Sequence, residues 1–392
     1  MARVRFGDVV KEIKTNIDRA TDNHEFYIAG EHMETENIHL TKRGRFEGSD
    51  VGPAFIRLFR PGQVLYGSRR TYLKKVAVAD FEGITSNTTF VLETKDQNVM
   101  MQELLPFIML TDSFTEYAIR NSKGSTNPYI LFSDLCAYEF ELPAIEEQRI
   151  LTKRLLACDN VKEAYKHLIA STDELVKSQF IEMFGISETG ETEWPEYKLQ
   201  KLLDMGWITY HLDGNHGSEY PRAHEFVESG VPYISANCVI DGRIDFANAK
   251  YVTEARAKRF RKGIAENKDV LFAHNATVGP VAILETTEPQ VILGTSLTAF
   301  RCNTEHILPE FLKAYLGCPR FVRQYEAEMQ QSTRKQVPIT TQRKYTIVVP
   351  DIDRQKAITR FMEQSDKSKF AAQQALADLT ATQKALMRQY LG

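Results

Sequence analysis

Two short motifs of the chain could support chemistry, but each lacks something that the chemistry requires. PGQVLYGSRR has the two glycines of a phosphate-binding loop, Gly62 and Gly67. Ser68 and Arg69 follow where that loop carries the lysine that reaches the phosphates, so the match does not indicate nucleotide binding. DVVKEIK from Asp8 contains the Asp…Glu-x-Lys letters of many nucleases at too tight a spacing, and it predicts the start of an amphipathic helix instead.

Two further motifs are equally incomplete. STNPYI from Ser125 resembles the Asn-Pro-Pro-aromatic loop with which amino-methyltransferases grip a flipped base, but it lacks one proline and follows no glycine-rich cofactor loop. His24-Glu25 and His224-Glu225 have no second histidine four residues on, which excludes a zincin site. The motifs therefore predict a protein without catalytic activity, although scattered His and Ser residues that meet only in the folded chain leave an enzyme open.

Length and composition set the class of protein. At roughly 100–200 residues per domain, 392 residues predict two or three domains, each with its own core. The 49 Lys and Arg residues against 52 Asp and Glu, a net charge of −3, argue against a protein that holds nucleic acid by bulk positive charge. The sequence shows no signal peptide and no apolar run of about 20 residues, and its five cysteines form no C-x-x-C pair. These features predict a cytoplasmic protein without membrane contact.

An internal repeat organises the sequence. Shifted by 207 residues, the segment 125–185 runs over 332–392 without a gap, and the upstream segments correspond more loosely, VLYGSRRTYLKKVAVAD from Val64 with VLFAHNATVGPVAILE from Val270. A period near 200 excludes solenoid repeats, which use 20–50 residues. Matched residues of the ungapped tails include Tyr138 with Tyr345, Pro143 with Pro350, Gln148 with Gln355, Asp159 with Asp366, and Lys162 with Lys369.

The front part of each repeat predicts mixed structure. Short β-branched runs bounded by turn residues predict strands at VLYG, KVAVAD and TTFVL, and again at 270–272, 281–284 and 298–300. Helical periodicity predicts one helix over 104–121 and one over 309–331.

The tails predict two very long helices. Residues 145–184 and 352–391 contain no Pro and no Gly, which at 1.5 Å per residue corresponds to a helix of about 60 Å. A spacing near 3.5 predicts a coiled-coil seam between them, with two independent amphipathic helices as the alternative. The predicted seam positions are Leu155, Cys158, Val161, Tyr165, Leu168, Thr172 and Leu175, and in the second helix Met362, Ser365, Ser368, Ala372, Ala375, Leu379 and Thr382.

Positive charge is concentrated locally in both repeats. Residues 42–75 hold nine basic and two acidic residues, a net charge of +7, and residues 250–268 hold seven and two, a net charge of +5. Aromatic residues such as Phe59, Tyr66 and Phe260 are interleaved with these charges. Basic stripes of this kind suit phosphate contact and guanine recognition, and two copies on a rigid spacer would match two half-sites on a duplex. A solvated charged face is the alternative.

The whole chain resembles the specificity (S) subunit of type I restriction–modification systems. The resemblance is carried by YIAGEHME from Tyr27, FRPGQVLYGSRRTYLKKVAVADFEGITSNTTFVLE from Phe59 and KGSTNPYILFSDLCAYEFELPAIEEQRI from Lys123. In the second half it rests on Trp194-Pro195, GVPYI from Gly230 and DVLFAHNATVG from Asp269. The second half departs from the family at Asp-Arg-Gln in positions 353–355 and at Ala-Thr before Val278.

The resemblance implies a fold of the α+β class. Two tandem mixed α/β target-recognition domains, 1–143 and 186–350, would each precede a long helix, 144–185 and 351–392. These helices would pair as an antiparallel coiled coil and relate the halves by a pseudo-two-fold axis. The helix-pairing residues would be Leu155, Val161, Leu168, Leu175, Met362, Ala372 and Leu379.

The resemblance also implies partners and a role. The chain would read a bipartite sequence in double-stranded DNA without catalysing a reaction, and two methyltransferase subunits and the restriction subunits would bind to it. S-adenosylmethionine and ATP would be bound by those partners, and no cofactor or metal by this chain. Two alternatives stay open: a detached specificity part of a single-chain restriction–methylation enzyme, and a scaffold that does not bind DNA. The expected DNA-binding residues are Arg43, Arg57, Arg69, Arg70, Lys74 and Lys75, and in the second domain Arg256, Arg259, Lys262, Asn275 and Arg334.

Overall fold

Both repeats fold around the same set of paired strands. The computed structural model describes residues 2–21, 23–185, 192–215, 217, 220–329 and 335–392. The first unit of the structure comprises Met1–His167 together with Ala372–Gly392, and the second comprises Leu168–Ala371. Each long helix thus contributes residues to both units, and the domain limits at 143, 185 and 350 stay predictions.

The first unit is built mainly from short strands. Its strands are Ala2–Arg5, Val10–Glu12, Phe26–Ile28, Gly44–Arg45, Phe55–Phe59, Val64–Gly67, Val76–Val78, Gly83–Ser86, Thr89–Thr94 and Glu139–Leu142. Its shorter helices are Phe6–Val9, Leu105–Met109, Asp112–Arg120 and Phe132–Leu135. The central helix, Ile145–Phe184, follows them.

The second unit repeats this order with additions. Its strands are Glu196–Lys198, Ile208–Asp213, Phe226–Val227, Val231–Ile234, Val239–Ile240, Arg243–Ile244, Lys250–Val252, Ile264–Ala265, Val270–Asn275, Thr277–Ile283, Val291–Leu293, Leu297–Cys302 and Thr346–Val348. Its shorter helices are Leu199–Asp204, Glu254–Ala257, Pro309–Leu316, Pro319–Met329 and Ile339–Gln342. The C-terminal helix is Ile352–Leu391.

Matching strands occupy matching places in the sheets. One four-stranded sheet of the first unit has the order Val10–Glu12, Thr89–Thr94, Val64–Gly67, Val76–Val78. Its counterpart has the order Ile208–Asp213, Leu297–Cys302, Val270–Asn275, Thr277–Ile283. A second sheet in each unit contains a parallel strand pair, Phe26–Ile28 with Gly83–Ser86 and Val231–Ile234 with Val291–Leu293. The duplication seen in the sequence is therefore a duplication of strand pairing.

Three of the sequence-predicted helices are wrong in extent. The segment predicted as one helix over 104–121 breaks at Thr111, whose extended backbone and Oγ1, which accepts from the Phe114 N–H at 3.2 Å, begin a new helix. The helix predicted over 309–331 breaks before Pro319, which cannot donate the hydrogen bond that would continue it. At Asp8 the helix is a single turn, because Val10 already pairs with Thr94 in a sheet.

The two long helices begin and end at the predicted residues and pack against one another within each unit. In the first unit the Lys162 Nζ donates to Gln383 Oε1 at 2.7 Å, and in the second the Lys369 Nζ donates to Asp173 Oδ1 at 2.8 Å. Residue numbers rise along one helix as they fall along the other, so the pairing is antiparallel. Across the described ranges, none of the helices combines the length and apolar composition needed to cross a bilayer.

Three of the seven residues predicted to pair the helices are exposed. Leu155 and Ala372 are buried, and Met362 and Leu379 are half-buried, but Val161, Leu168 and Leu175 are 44%, 52% and 54% exposed. The buried face of the central helix passes instead through Leu151, Leu155, Asp159 and Lys162, which advance by three or four residues. The predicted seam positions from Leu155 to Leu175 are on average 3.3 residues apart, whereas one turn of a straight helix takes 3.6 residues. The predicted positions therefore drift around the helix and leave the buried face.

One buried glutamine fastens the start of each long helix. The Gln148 Nε2 donates to the Val99 and Pro143 carbonyls at 2.8 and 2.9 Å, and its Oε1 accepts from the Met101 N–H at 3.0 Å. Gln355 is its counterpart in the repeat and makes the same three bonds at 2.9 Å each, to the His306 and Pro350 carbonyls and from the Leu308 N–H. Both side chains are fully buried, so the carboxamide ties helix, preceding proline and domain into one element.

We expect Gln148→Leu to lower the free energy of unfolding by about 2–4 kcal/mol, because it removes three hydrogen bonds of a fully buried carboxamide, among them the buried bond to the Pro143 carbonyl. Gln355→Leu should have an effect of the same size. Denaturant unfolding followed by circular dichroism measures both. Gln364→Leu, at an exposed position of the C-terminal helix, is the matched control and should change little. Equal stability of all three variants would contradict the fastening role.

Candidate nucleic-acid interface

A loop that follows the strand Val64–Gly67 is held by the segment that precedes the central helix. We name residues 68–71 the first tip loop. Its Ser68 N–H donates to the Thr88 carbonyl at 3.2 Å, and its Arg70 N–H donates to the Pro128 carbonyl at 2.7 Å. The Ile130 N–H donates to the Ser68 carbonyl at 3.0 Å, and Arg69 forms an antiparallel bridge with Tyr129. Two backbone segments, around Thr88 and at residues 128–130, thus hold the loop.

The second unit builds the same loop from different side chains. We name residues 274–277 the second tip loop. The His274 N–H donates to the Ser296 carbonyl at 2.9 Å, and the His274 carbonyl accepts from the Val337 N–H at 2.8 Å. The Ala276 N–H donates to the Lys335 carbonyl at 3.1 Å, and Asn275 bridges Gln336. The three backbone hydrogen bonds and the bridge named for the first tip loop therefore each have a counterpart here.

Both loops place a residue other than glycine in the left-handed region. Arg70 has φ 51° and Ala276 has φ 65°. Such backbone costs on the order of 1 kcal/mol or more per residue and is typical of binding and active sites, where surrounding contacts hold it in place. Both copies keep this strained backbone although their side chains differ. This indicates that the shape of the loop, and not one particular side chain, is what a binding site there requires.

The first tip loop presents positive charge and exposed aromatic rings. Arg69 and Arg70 are exposed, and Arg70 Nε donates to the Asn127 Oδ1 at 3.3 Å, which orients its guanidinium. Tyr72 and Tyr129 beside them are 53% and 39% exposed. This combination suits contact with phosphates and bases.

Three other expected DNA-binding residues of the first unit make contacts within the protein, which limits or prevents their contact with DNA. Arg43 is exposed, and its guanidinium carbon lies 3.9 Å from the centre of the Phe26 ring. The Lys75 Nζ donates to the Gly30 carbonyl. Lys74 is 16% exposed and ion-paired to Glu36 and Asp112 at 2.9 and 3.1 Å, so its prediction as a DNA contact is corrected to an internal one. Burial alone would lower the pKa of Lys74, but its hydrogen bonds to Glu36 and Asp112 outweigh burial, so the pKa is raised.

Arg57 and Arg256 were predicted to contact DNA, and both are buried. Arg57 is 8% exposed in the strand Phe55–Phe59, and its Nε and Nη1 have no hydrogen-bond partner among the described residues. Arg256 is 7% exposed, ion-paired to Glu225 at 2.7 Å and stacked 4.3 Å from the Phe260 ring centre. Basic residues of a stripe turn inward when the strand or helix that carries them is covered, which the charge pattern alone does not reveal.

The remaining predicted residues of the second unit fall into three groups. Arg259 is exposed and Asn275 is half-buried at the second tip loop. Lys262 is half-buried and ion-paired to Asp213 at 3.3 Å, so its prediction as a DNA contact is corrected to a contact within the protein. Arg334 lies outside the described residues. Sequence reasoning missed Tyr129 and its counterpart Gln336, although the ungapped repeat register aligns them.

Two buried histidines lie at the second tip loop: His274, which is part of it, and His211, which lies near His274. The His211 Nε2 lies 3.1 Å from the Gln342 Oε1, and the His274 Nδ1 lies 3.1 Å from the Val337 carbonyl oxygen. Burial lowers the pKa of His211 to about 4, so this ring is neutral at physiological pH and acts as a packing and hydrogen-bonding group. Among the described side chains, no group of three or more His, Cys, Asp or Glu residues is arranged to hold a metal ion.

A histidine–aspartate contact joins the front part of the first unit to the central helix. The His39 Nε2 lies 2.5 Å from the Asp159 Oδ2, and Asp159 is 5% exposed. The hydrogen bond to Asp159 raises the pKa of His39, burial opposes the rise, and the charges of Glu163 and Lys166 act in opposite directions. This contact therefore strengthens as the imidazole becomes protonated.

Comparison with known proteins gives a consistent result. Residues 57–171 and 216–379, more than half of the chain, match the family model described as the type I restriction modification DNA specificity domain. The chain is 22% identical over 306 residues to the type I restriction enzyme MjaVIII specificity subunit of Methanocaldococcus jannaschii, a match that covers 73% of this chain and 68% of that protein. It is 26% identical over 131 residues to the EcoDI specificity subunit of Escherichia coli, covering 32% and 28% of the two chains.

Solved structures share the fold. A type I restriction–modification S subunit from M. genitalium has a TM-score of 0.60 at 15% identity, covering 100% of this chain and 96% of that one. A chain from a structure concerned with assembly and conformational transition of the type I system has a TM-score of 0.59 at 17% identity, covering 99% and 97%. The predicted fold of mixed domains and long paired helices is confirmed.

We expect Arg57→Met to raise the free energy of unfolding by about 1 kcal/mol and to leave DNA binding unchanged, because it removes a buried cation that is incompletely hydrogen-bonded. Denaturant unfolding and a DNA-binding titration of the assembled complex measure the two effects. Arg60→Met, at an exposed arginine paired with Glu82, is the control and should not stabilise the protein. Loss of DNA binding by a fully folded Arg57→Met protein would restore Arg57 to the interface.

We expect His39→Gln to destabilise the protein more at pH 5.5 than at pH 9. Because the pKa of His39 is raised, its stabilisation is fully present below the ordinary value of 6.5 and is lost as the pH rises through the raised pKa. With the ring 41% exposed, the effect should be below about 1 kcal/mol. Unfolding curves at both pH values measure it, and His224→Gln, an exposed histidine, is the control. A pH-independent loss would contradict this assignment.

Proposed function

The chain belongs to the type I restriction–modification DNA specificity family, and on that premise we propose that it reads a target in two parts, one with each tip loop. Its role is DNA recognition as the specificity subunit of a restriction–modification complex. A single observation carries the two-part reading: both units build the same strained, doubly held loop but place different residues on it, Arg69 and Arg70 in one and Asn275 and Ala276 in the other.

The geometry favours recognition over catalysis. A loop fixed by backbone bonds presents side chains at constant positions, so sequence can change at the tip without disturbing the fold. The groups exposed there are guanidinium, phenol and amide groups, which bind phosphates and base edges. The chain therefore acts as a reader, and the methyl transfer and cleavage belong to other subunits.

We place two methyltransferase subunits and the restriction subunits among its partners, with S-adenosylmethionine and ATP bound to them, and the whole complex in the cytoplasm with its DNA. Apolar side chains left exposed on the long helices support a protein-docking role. Leu168 and Leu175 are 52% and 54% exposed and lie seven residues apart, on one face of the central helix. Phe370 on the C-terminal helix is 56% exposed. The pseudo-two-fold relation of the two halves stays a prediction.

We expect a host that carries this chain with its methyltransferase subunit to show adenine methylation at one motif made of two short sequences separated by a fixed spacer. Methylome sequencing measures the motif. The purified chain alone, incubated with labelled S-adenosylmethionine and target DNA, should transfer no methyl group.

The two alternatives give different results in the same experiments. Methyl transfer by the isolated chain would identify a detached part of a restriction–methylation enzyme. Absence of any methylated motif, together with no DNA affinity in the assembled complex, would identify a scaffold. A host with the methyltransferase subunit but without this chain is the control, and it should show no motif.

A further inference from the structure

We propose that the dipeptide at the centre of each tip loop selects the base pair read by its unit, a G·C pair for Arg69-Arg70 and an A·T pair for Asn275. The inference rests on the proposed function and deepens it, since it names which bases each half of the target must contain. It follows from three features of the loops: their shared backbone, the different chemistry at their centres, and the neighbours bridged to them.

The shared backbone makes the two dipeptides comparable. Residues 69 and 70 correspond to 275 and 276, because Arg69 and Asn275 bridge Tyr129 and Gln336, and the Arg70 and Ala276 N–H groups donate to the Pro128 and Lys335 carbonyls. The positive φ falls on the second residue in both loops. The side chains at these two positions therefore project from the same local backbone in each unit. The two units differ only in the chemistry of those side chains.

The first tip loop offers paired donors. A guanidinium can donate two parallel hydrogen bonds, and in the major groove guanine O6 and N7 are the acceptors that match this fork. Arg70 is oriented by its bond from Nε to Asn127, and Arg69 stands beside Tyr129, which is bridged to it. Nothing acidic is bonded to either guanidinium among the described residues, so both charges are available to DNA.

The second tip loop offers an amide in place of the guanidinium. A carboxamide donates one hydrogen bond and accepts another, which matches N7 and the N6 amino group of adenine. Asn275 stands at the position of Arg69, and the residue bridged to it is Gln336, a second carboxamide, in place of Tyr129. Ala276 and Thr277 beside them carry no charge and are exposed. Two amides side by side favour adenine over guanine.

Exchanging the dipeptides of the two tip loops provides a matched pair of substitutions. Arg69→Asn with Arg70→Ala gives the first loop the second loop's dipeptide, and Asn275→Arg with Ala276→Arg does the reverse. Each loop already tolerates a non-glycine residue at the strained position, in one case Arg and in the other Ala, so both double variants should fold. Thermal unfolding of each variant checks this directly.

The test uses the complex assembled with its methyltransferase subunits, read out by methylome sequencing and by competition binding to duplexes altered at one position. The Arg69→Asn, Arg70→Ala variant should lose about tenfold to hundredfold discrimination at one G·C position in one half of the motif. The Asn275→Arg, Ala276→Arg variant should change preference at one A·T position in the other half. Arg3→Asn, which removes an exposed charge on the strand Ala2–Arg5, is the control and should leave both halves unchanged.

Three results would overturn the inference while leaving the proposed function intact. They are an unchanged motif with folded variants, a change confined to an A·T position in the first variant, and a change in the same half of the motif for both variants. If the native complex itself shows no two-part motif, the proposed function fails instead. Single variants Arg69→Asn and Arg70→Ala then assign the guanine contact to one residue, and the inference requires that at least one of them reproduces the double variant.

Discussion

The buried carboxamide at the start of each long helix is the constraint on which the rest of the structure depends. Gln148 and Gln355 each satisfy one N–H and two carbonyls, which belong to the domain and to the proline that precedes the helix. A helix held this way cannot rotate about its axis without leaving buried polar groups unpaired. The direction in which each helix leaves its domain is thereby fixed in both repeats.

The tip loops depend on the same fixed geometry. Residues 128–130 and 335–337 hold them, and in each unit one short helix and one strand separate this segment from the long helix that Gln148 or Gln355 fastens. The loop, its brace and the helix therefore form one connected framework in each unit. On such a framework the residues at the tip can differ freely between repeats, which is the property a DNA-reading subunit needs when its target sequence changes.

Much of this architecture was predictable, and the failures have physical causes. The limits of both long helices followed from 40 residues without Pro or Gly. The seam between them did not, since its middle is polar. Asp159 and Lys162 are buried there because His39 and Gln383 are their partners, and no hydrophobic pattern shows such partners. The break at Thr111 likewise depended on a capping bond that competes with helix continuation.

The sequence by itself determined the duplication, the two long helices and the family, because these rest on periodicity and on residues matched at a constant offset. Only the tertiary structure decided which charges face solvent. Arg57 lies in the same basic stripe as Arg69 and Arg70, and Arg256 lies in the basic stripe of the second repeat, yet Arg57 and Arg256 are buried while Arg69 and Arg70 are exposed. Exposure is set by what packs over a strand or helix from elsewhere in the chain, and composition along the chain carries no information about those distant contacts.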